Sequence, residues 1–332
     1  MSDIVLGLAT SHSPLLTFDV DTWIEKAAGD RRMKLALSDG RTLTYGELSA
    51  EVGERYSEQA QRDHLENQRL RCQRGLDLLA DELEKASPDL VVIVGDDQGE
   101  LFSLANMPAI SIFYGAELVT HPWGEMDDEM PAWKRTAAIG YGMDRVHRYP
   151  GAPDVAMTAI KGLIAHGVDV AAASAVVDPG HAGFGHAYGF VVERLFRGRS
   201  YPVLPVLLNT YFPPNVPTSA RCFDVGALLA DVLEKLDGLR IAVVASGGLS
   251  HFVTDEVLDR GVMNAMRTGD TAHLRAVPPE ALRTGSSEIL NWIMAAGALQ
   301  RLPVAWNDYV PVFRTPAGTG IGMGFMVWRH EP

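Results

Sequence analysis

The chain has 332 residues, 47% of them hydrophobic and 21% charged, which is the composition of a soluble globular protein with a large core. Acidic residues outnumber basic ones by 42 to 29, and the net charge of −13 argues against a nucleic-acid partner; no apolar run is long enough to span a membrane. Cys72 and Cys222 make no disulfide framework and the N-terminus carries no signal-like segment, so a reducing cytoplasm is the expected compartment.

The first predicted element is a strand over Ile4 to Leu8, running straight into Thr10-Ser11-His12-Ser13-Pro14. Residues 17 to 65 then read as a cap-like insertion, with a hairpin pattern from Leu35 to Thr44 turning at Asp39-Gly40. A helix is predicted from Glu66 to Ala86, followed by a strand over Leu90 to Val94 that ends in Gly95-Asp96-Asp97-Gln98. Residues 121 to 150 hold Trp123, Trp133, Lys134 and Arg135 among many turn formers, and read as an irregular, lid-like segment. A helix over Pro153 to His166 and a strand over Val168 to Val177 lead to Asp178-Pro179-Gly180-His181-Ala182-Gly183-Phe184-Gly185-His186. Next come a strand over Val203 to Leu208, a helix over Val225 to Leu236, a strand over Ile241 to Ala245 and an apolar helix opening at Glu288.

This alternation predicts one large α/β domain over residues 1–332, with a mixed central sheet flanked by helices. Function in such sheets gathers at the carboxyl ends of the strands. His12, Gln98, His181, Asn209 and His251 all fall at or just past such ends. His12 projects from a held backbone and suits a metal ligand. Glu288 sits at a helix start, where a carboxylate is favoured by the macrodipole and can also face a metal, with Ser286 or Ser287 as the expected cap. His251 follows Gly247-Gly248, whose backbone lets a ligand approach closely, and suits general acid–base work. His181 and His186 stand five apart among glycines, and either can hydrogen-bond a substrate or oxygen.

Taken together, Ser11-His12-Ser13-Pro14, Ser246-Gly247-Gly248-Leu249-Ser250-His251 and the helix from Glu288 to Trp292 resemble the class III extradiol ring-cleavage dioxygenases of the LigB-like type. Asn209-Thr210-Tyr211-Phe212-Pro213-Pro214, Arg221-Cys222 and the closing Gly318 to Gly324 are similar to the same family. The resemblance implies Fe(II) held by His12 and Glu288, His251 as the acid–base histidine, and His181 or His186 as a second active-site histidine. It implies a small catechol-type aromatic acid and O2 as reactants, with Asn209, Tyr211 and Arg221 near the substrate. Lys134, Arg135 and Arg221 are candidate countercharges for a carboxylate. A homodimer is expected from base rates.

One departure stands out. The family carries a histidine ligand after the strand that here ends in Asp96-Asp97, and this chain has Gln98 in its place. Three outcomes follow: Gln98 ligates directly or through water, His64 or His186 takes over, or metal binding is lost and the fold serves another substrate or a binding role. Asp97 would then orient a ligand from behind. The relatives' separate covering subunit or appended domain is not expected here, and residues 17 to 65 are the candidate substitute.

Overall fold

The structure, a computed structural model, describes residues 1–331. Strand β1 (Asp3–Thr10) leaves the sheet for the insertion, which folds as helix α1 (Val20–Asp30), hairpin strands β2 (Lys34–Ala36) and β3 (Thr42–Thr44), and helix α2 (Tyr45–Val52). The hairpin turns where Asp39-Gly40 predicts: Gly40 takes a φ of 86°, and the Asp39 carboxylate accepts the Arg41 N–H. Helix α3 (Arg62–Ala86) returns the chain to strand β4 (Leu90–Asp96). Strands β5 (Ile110–Phe113) and β6 (Glu117–Val119), helix α4 (Ala132–Gly140) and strand β7 (Arg148–Pro150) follow, so the lid-like segment contains a helix and pairs β7 with β6.

The remaining elements are helix α5 (Pro153–Ala165), strand β8 (Ala171–Ala173), helix α6 (His186–Leu195), strand β9 (Val203–Leu208), helix α7 (Ser219–Leu233), strands β10 (Arg240–Ser246) and β11 (His251–Val253), helices α8 (Glu256–Thr268), α9 (Thr271–Arg275) and α10 (Ile289–Ala298), and strands β12 (Val304–Phe313) and β13 (Thr319–Trp328). Where Val168 to Val177 reads as one long strand, only the three alanines of β8 pair. They form a sheet edge, and Val177 beyond them lies exposed.

Nine strands form the central sheet, in the order β11-β13-β1-β10-β4-β9-β5-β8 with β12 against β13. Strands β1, β10, β4 and β9 are parallel, while β13 runs antiparallel to β1 and β5 antiparallel to β9, so the sheet is mixed as expected. Alternate residues of the parallel strands bury into opposite cores. Val92, Val94, Val243 and Ala245 pack with α5, α7 and α10 on one face, and Val91, Ile93, Ala242 and Val244 with α3 and α6 on the other. Burial on both faces explains why these strands read as unbroken apolar runs.

The parallel arrangement brings four strand ends to one edge: His12 after β1, Asp96 closing β4, Asn209 to Tyr211 after β9, and Gly247-Gly248 after β10. The start of α10 is drawn to this edge by Trp292, whose indole N–H donates to Gly247 O at 2.7 Å. Residues 17–65 pack against β11 through a small apolar cluster of Leu35, Leu48 and Ala317, joined by Phe252 and Val253.

Candidate metal centre

Four side chains meet at this edge. One ligating atom from each of His12, Asp96, His186 and Glu288 lies within 4.8 Å of all the others, and no other such group of three or more occurs among the described residues. Three of the four are fully buried and His186 is nearly so.

Each imidazole is fixed by its second nitrogen. The single hydroxyl proton of Ser246 is donated to Ala187 O at 2.6 Å, so Ser246 Oγ accepts from His12 Nδ1–H at 3.0 Å. That leaves the His12 Nε2 lone pair aimed inward. His186 is the first residue of α6, and its Nδ1 bonds Glu100 Oε1 at 2.7 Å, the same oxygen that accepts its backbone N–H. A carboxylate–histidine pair of this kind sets the tautomer so that Nε2 faces the centre, as in many metal sites. The arrangement needs Gly185, because a Cβ there would sit 1.7 Å from the Glu100 carboxyl carbon.

The carboxylates are placed as firmly. Glu288 Oε2 accepts the Gly248 N–H at 2.6 Å, and Asp96 Oδ1 accepts from the Asn291 amide at 3.0 Å. Neither Ser286 nor Ser287 caps α10, contrary to expectation. Ser286 Oγ instead accepts the His251 N–H and donates to His251 O, and Ser287 Oγ donates to Thr284 O. Glu288 closes a tight turn over Thr284–Glu288 that delivers it to the centre.

The electrostatics of this cluster suit a cation. Burial and the neighbouring Glu288 push the Asp96 carboxyl above its usual range. Burial also opposes charge on Glu288, but His12, His251 and His186 around it hold that carboxyl below its usual range. Two buried carboxylates this close cannot both ionise unaided. His12 Nε2 is buried without a hydrogen-bond partner, although Glu288 Oε2 is only 2.9 Å away, so both atoms face shared space rather than each other. Two imidazole nitrogens and two carboxylates are a donor set for a divalent transition metal, and the residues fit one.

Gln98 stands beside the cluster rather than outside it. Its amide nitrogen lies 3.0 Å from Asp96 Oδ2, 3.2 Å from Glu288 Oε1 and 3.3 Å from His186 Nε2. His64 lies in the first turn of α3 and takes no part in the cluster. Asp97 does not hold a ligand from behind. Its carboxylate accepts the N–H groups of Gly99, Glu100, Leu101 and Phe102, and so organises the loop that carries Gln98 and Glu100.

A cavity of about 420 Å³ opens onto the cluster, within the usual size range for a small-molecule site. His251 lines it. Its Nδ1–H donates to Leu249 O at 2.8 Å, which leaves Nε2 as a free lone pair, and burial holds its pKa below the ordinary histidine value. The ring fits because two glycines flank it: a Cβ on Gly248 would lie 1.9 Å from its Cε1, and one on Gly285 2.5 Å from its Cβ. Tyr211 lines the same cavity, and burial and then Glu288 keep its phenol protonated.

Other expected residues lie elsewhere. His181 has a side chain 85% exposed and pairs with Asp178 at 3.0 Å, so of the two candidate histidines only His186 enters the cavity. Asn209 ties its own loop, bonding the backbone of Phe212 and Asn215. Arg221 is exposed on α7, Arg135 donates to Asp127 O, and Lys134 stands off the Trp123 ring; none of the three lines the cavity. The cations that do are Lys26 and Arg314. Residues 17–65 and 121–150 both contribute walls: Phe18 and Lys26 from the first, Trp123, Trp133, Tyr141 and Met143 from the second.

Asp96, Glu100, Lys26 and Arg314 have no place in the expected set. For Asp96 the signal was available, as an acid ending an apolar strand at the edge where ligands gather. Glu100, Lys26 and Arg314 sit in segments without a pattern of their own.

A family model for the catalytic LigB subunit of aromatic ring-opening dioxygenase matches residues 63–324. The match covers most of the chain, and the chain belongs to this family of ring-opening oxidoreductases. The family's reactants are an aromatic compound and O2. No curated protein gives a significant match. Among the described residues, no helix is long and apolar enough to cross a membrane. His12 falls outside the matched residues, yet β1 lies between β10 and β13 of the matched sheet.

Proposed function

We propose that the protein is an Fe(II)-dependent extradiol dioxygenase that opens the ring of a catechol-type aromatic acid of the gallate, O-methylgallate or protocatechuate kind. The observation that carries this reading is the convergence of His12, Asp96, His186 and Glu288 on the floor of a cavity whose wall bears a neutral, tautomer-fixed His251. His12, His186 and Glu288 would hold the metal, with Asp96 or the Gln98 side chain beside it. The bound metal would supply Lewis acidity toward a vicinal diol and a site for O2.

The chain's own residues account for the rest. His251 Nε2 is the lone pair positioned to take a diol proton, and its lowered pKa keeps it in the basic form at neutral pH. A protonated His251 can return that proton to an oxygen of the opening ring. Tyr211, held as a phenol, is a donor on the same cavity wall. Residues 17–65 and 121–150 act as covers that exclude water, with Trp123, Trp133 and Phe18 forming the apolar part of the lining.

The alternative is a relative with an altered metal site acting on another substrate or only binding one. It is favoured by Gln98, whose amide nitrogen donates to both carboxylates and so satisfies an oxygen of each without a metal. Anaerobic reconstitution with Fe(II), metal quantification, and O2 uptake on gallate, 3-O-methylgallate, protocatechuate and catechol separate the two. Iron near one per chain with uptake on any of these is the expected result. Iron without uptake moves the search to other substrates, and no iron at all favours the alternative.

A further inference from the structure

We propose that Lys26 and Arg314 form a carboxylate-binding subsite at the His251 side of the cavity, and that this subsite selects acidic ring substrates. The proposal deepens the ring-cleavage reading and rests on it for turnover, though not for binding.

Three observations carry it. First, both cations line the same cavity as His12, His251 and Glu288. They come from distant parts of the chain, α1 of the insertion and the turn between β12 and β13, and are close enough that Arg314 helps to lower the pKa of Lys26 after burial does. Arg314 is also tied to the strand beside His251: its backbone N–H bonds Thr319 O, and Thr319 of β13 pairs with Val253 of β11.

Second, their charge is only half offset. Arg314 is buried and pairs with Asp30 at 2.9 Å, but the other Asp30 oxygen is taken by the Thr319 hydroxyl at 2.9 Å. Arg314 Nε is buried with no hydrogen-bond partner, an unsatisfied donor on a charged group. Lys26 has no ion pair among the described residues and instead lies 2.9 Å from the centre of the Trp133 ring. Two cations against one carboxylate leave the Lys26 ammonium and the Arg314 Nε–H without an anionic partner at the cavity wall.

Third, the cavity wall carries charges of both signs: Glu288 and Glu100 line it beside His12 and His186, and Lys26 and Arg314 line it as well. A substrate carboxylate is repelled by the first pair and drawn to the second, which leaves a diol on the same ring to face the metal ligands. The guanidinium and the ammonium together present N–H donors to both oxygens of the carboxylate. Lys26 and Asp30 lie before the residues matched by the family model, and Arg314 lies within them.

The test uses benzoate, which has the carboxylate and lacks the diol. Calorimetric titration of the purified protein is expected to show benzoate binding that weakens by roughly tenfold to a hundredfold in Lys26→Met, the scale of a lost charge-assisted hydrogen bond. Arg314→Met alone would strand Asp30, so the second variant is Asp30→Asn with Arg314→Met, which is expected to weaken benzoate as well. In turnover, Lys26→Met should lower the ratio of kcat/KM for protocatechuate to that for catechol by a similar factor. Benzoate binding that is absent from the wild type, or unchanged in both variants, overturns the subsite even if diols are cleaved. Binding that is lost in the variants while no diol is ever cleaved supports the subsite and overturns the ring-cleavage reading instead.

Discussion

The floor of the cavity and its cover are built in opposite ways. On the floor, every functional side chain is held by hydrogen bonds: Ser246 fixes His12, Glu100 fixes His186, Gly248 and Gln98 hold Glu288, and Asn291 and Gln98 hold Asp96. These anchors come from the end of β10, the loops after β4 and β10, and the first turn of α10; Ser246, Gly248 and Asn291 are buried, Gln98 and Glu100 half-buried. In the cover, contact is by apolar and aromatic packing, with Trp123 and Trp133 edge to face at 6.4 Å and Lys26 over Trp133. A hydrogen-bonded floor fixes where atoms sit to within a fraction of an ångström, which chemistry needs. A packed cover decides which molecule enters, and tolerates change.

Substitutions on the two regions should therefore differ in kind as well as size. Glu288→Gln keeps the shape and the bond from Gly248 but removes a charge. Iron affinity is expected to fall by more than about a hundredfold, beyond what is typical for losing a group that only orients a ligand. Iron still near one per chain by elemental analysis would remove Glu288 from the site. His251→Ala should retain iron and lose turnover by about a hundredfold or more. The same residue sets a pH dependence. Its folded pKa is below the ordinary histidine value, so the base form survives to lower pH, and kcat/KM should fall only below the usual histidine range. That acid limb should vanish in the variant, and its persistence would mean that another group titrates.

Glu100→Gln tests the floor one layer out. It leaves every ligating atom in place and weakens only the anchor of His186, so a loss of about 10- to 100-fold in iron affinity is expected by competitive chelation. Trp133→Leu tests the cover. It should raise KM by about three- to tenfold, the scale of a lost aromatic contact, with iron content unchanged. A Trp133 variant that lost its iron would break the division between floor and cover.

Much of the floor was legible because its residues follow strong local signals. Apolar runs buried on both faces announce the parallel strands, and a polar residue just past their ends is conspicuous, as His12 and His251 are; Glu288 stood out as a carboxylate opening an apolar helix. The second imidazole was harder. His181 and His186 share a glycine-rich segment, and nothing local says that Gly185 makes room for Glu100 while His181 turns outward to Asp178. Gln98 drew attention as a departure in the chain, but its neighbours Asp96, His186 and Glu288 come from three separate elements.

By itself, then, the sequence determined the α/β sheet, the hairpin at Asp39-Gly40 and three members of the site, because strand burial, turn geometry and strand-end placement act over a few residues. Only the tertiary structure decided which residues complete the cluster and which cations face the cavity. Asp96 meets Glu288, and Lys26 meets Arg314, across gaps of roughly two hundred to three hundred residues. Such meetings depend on strand order and on how the insertion packs against β11 and β13, and no short-range pattern encodes either.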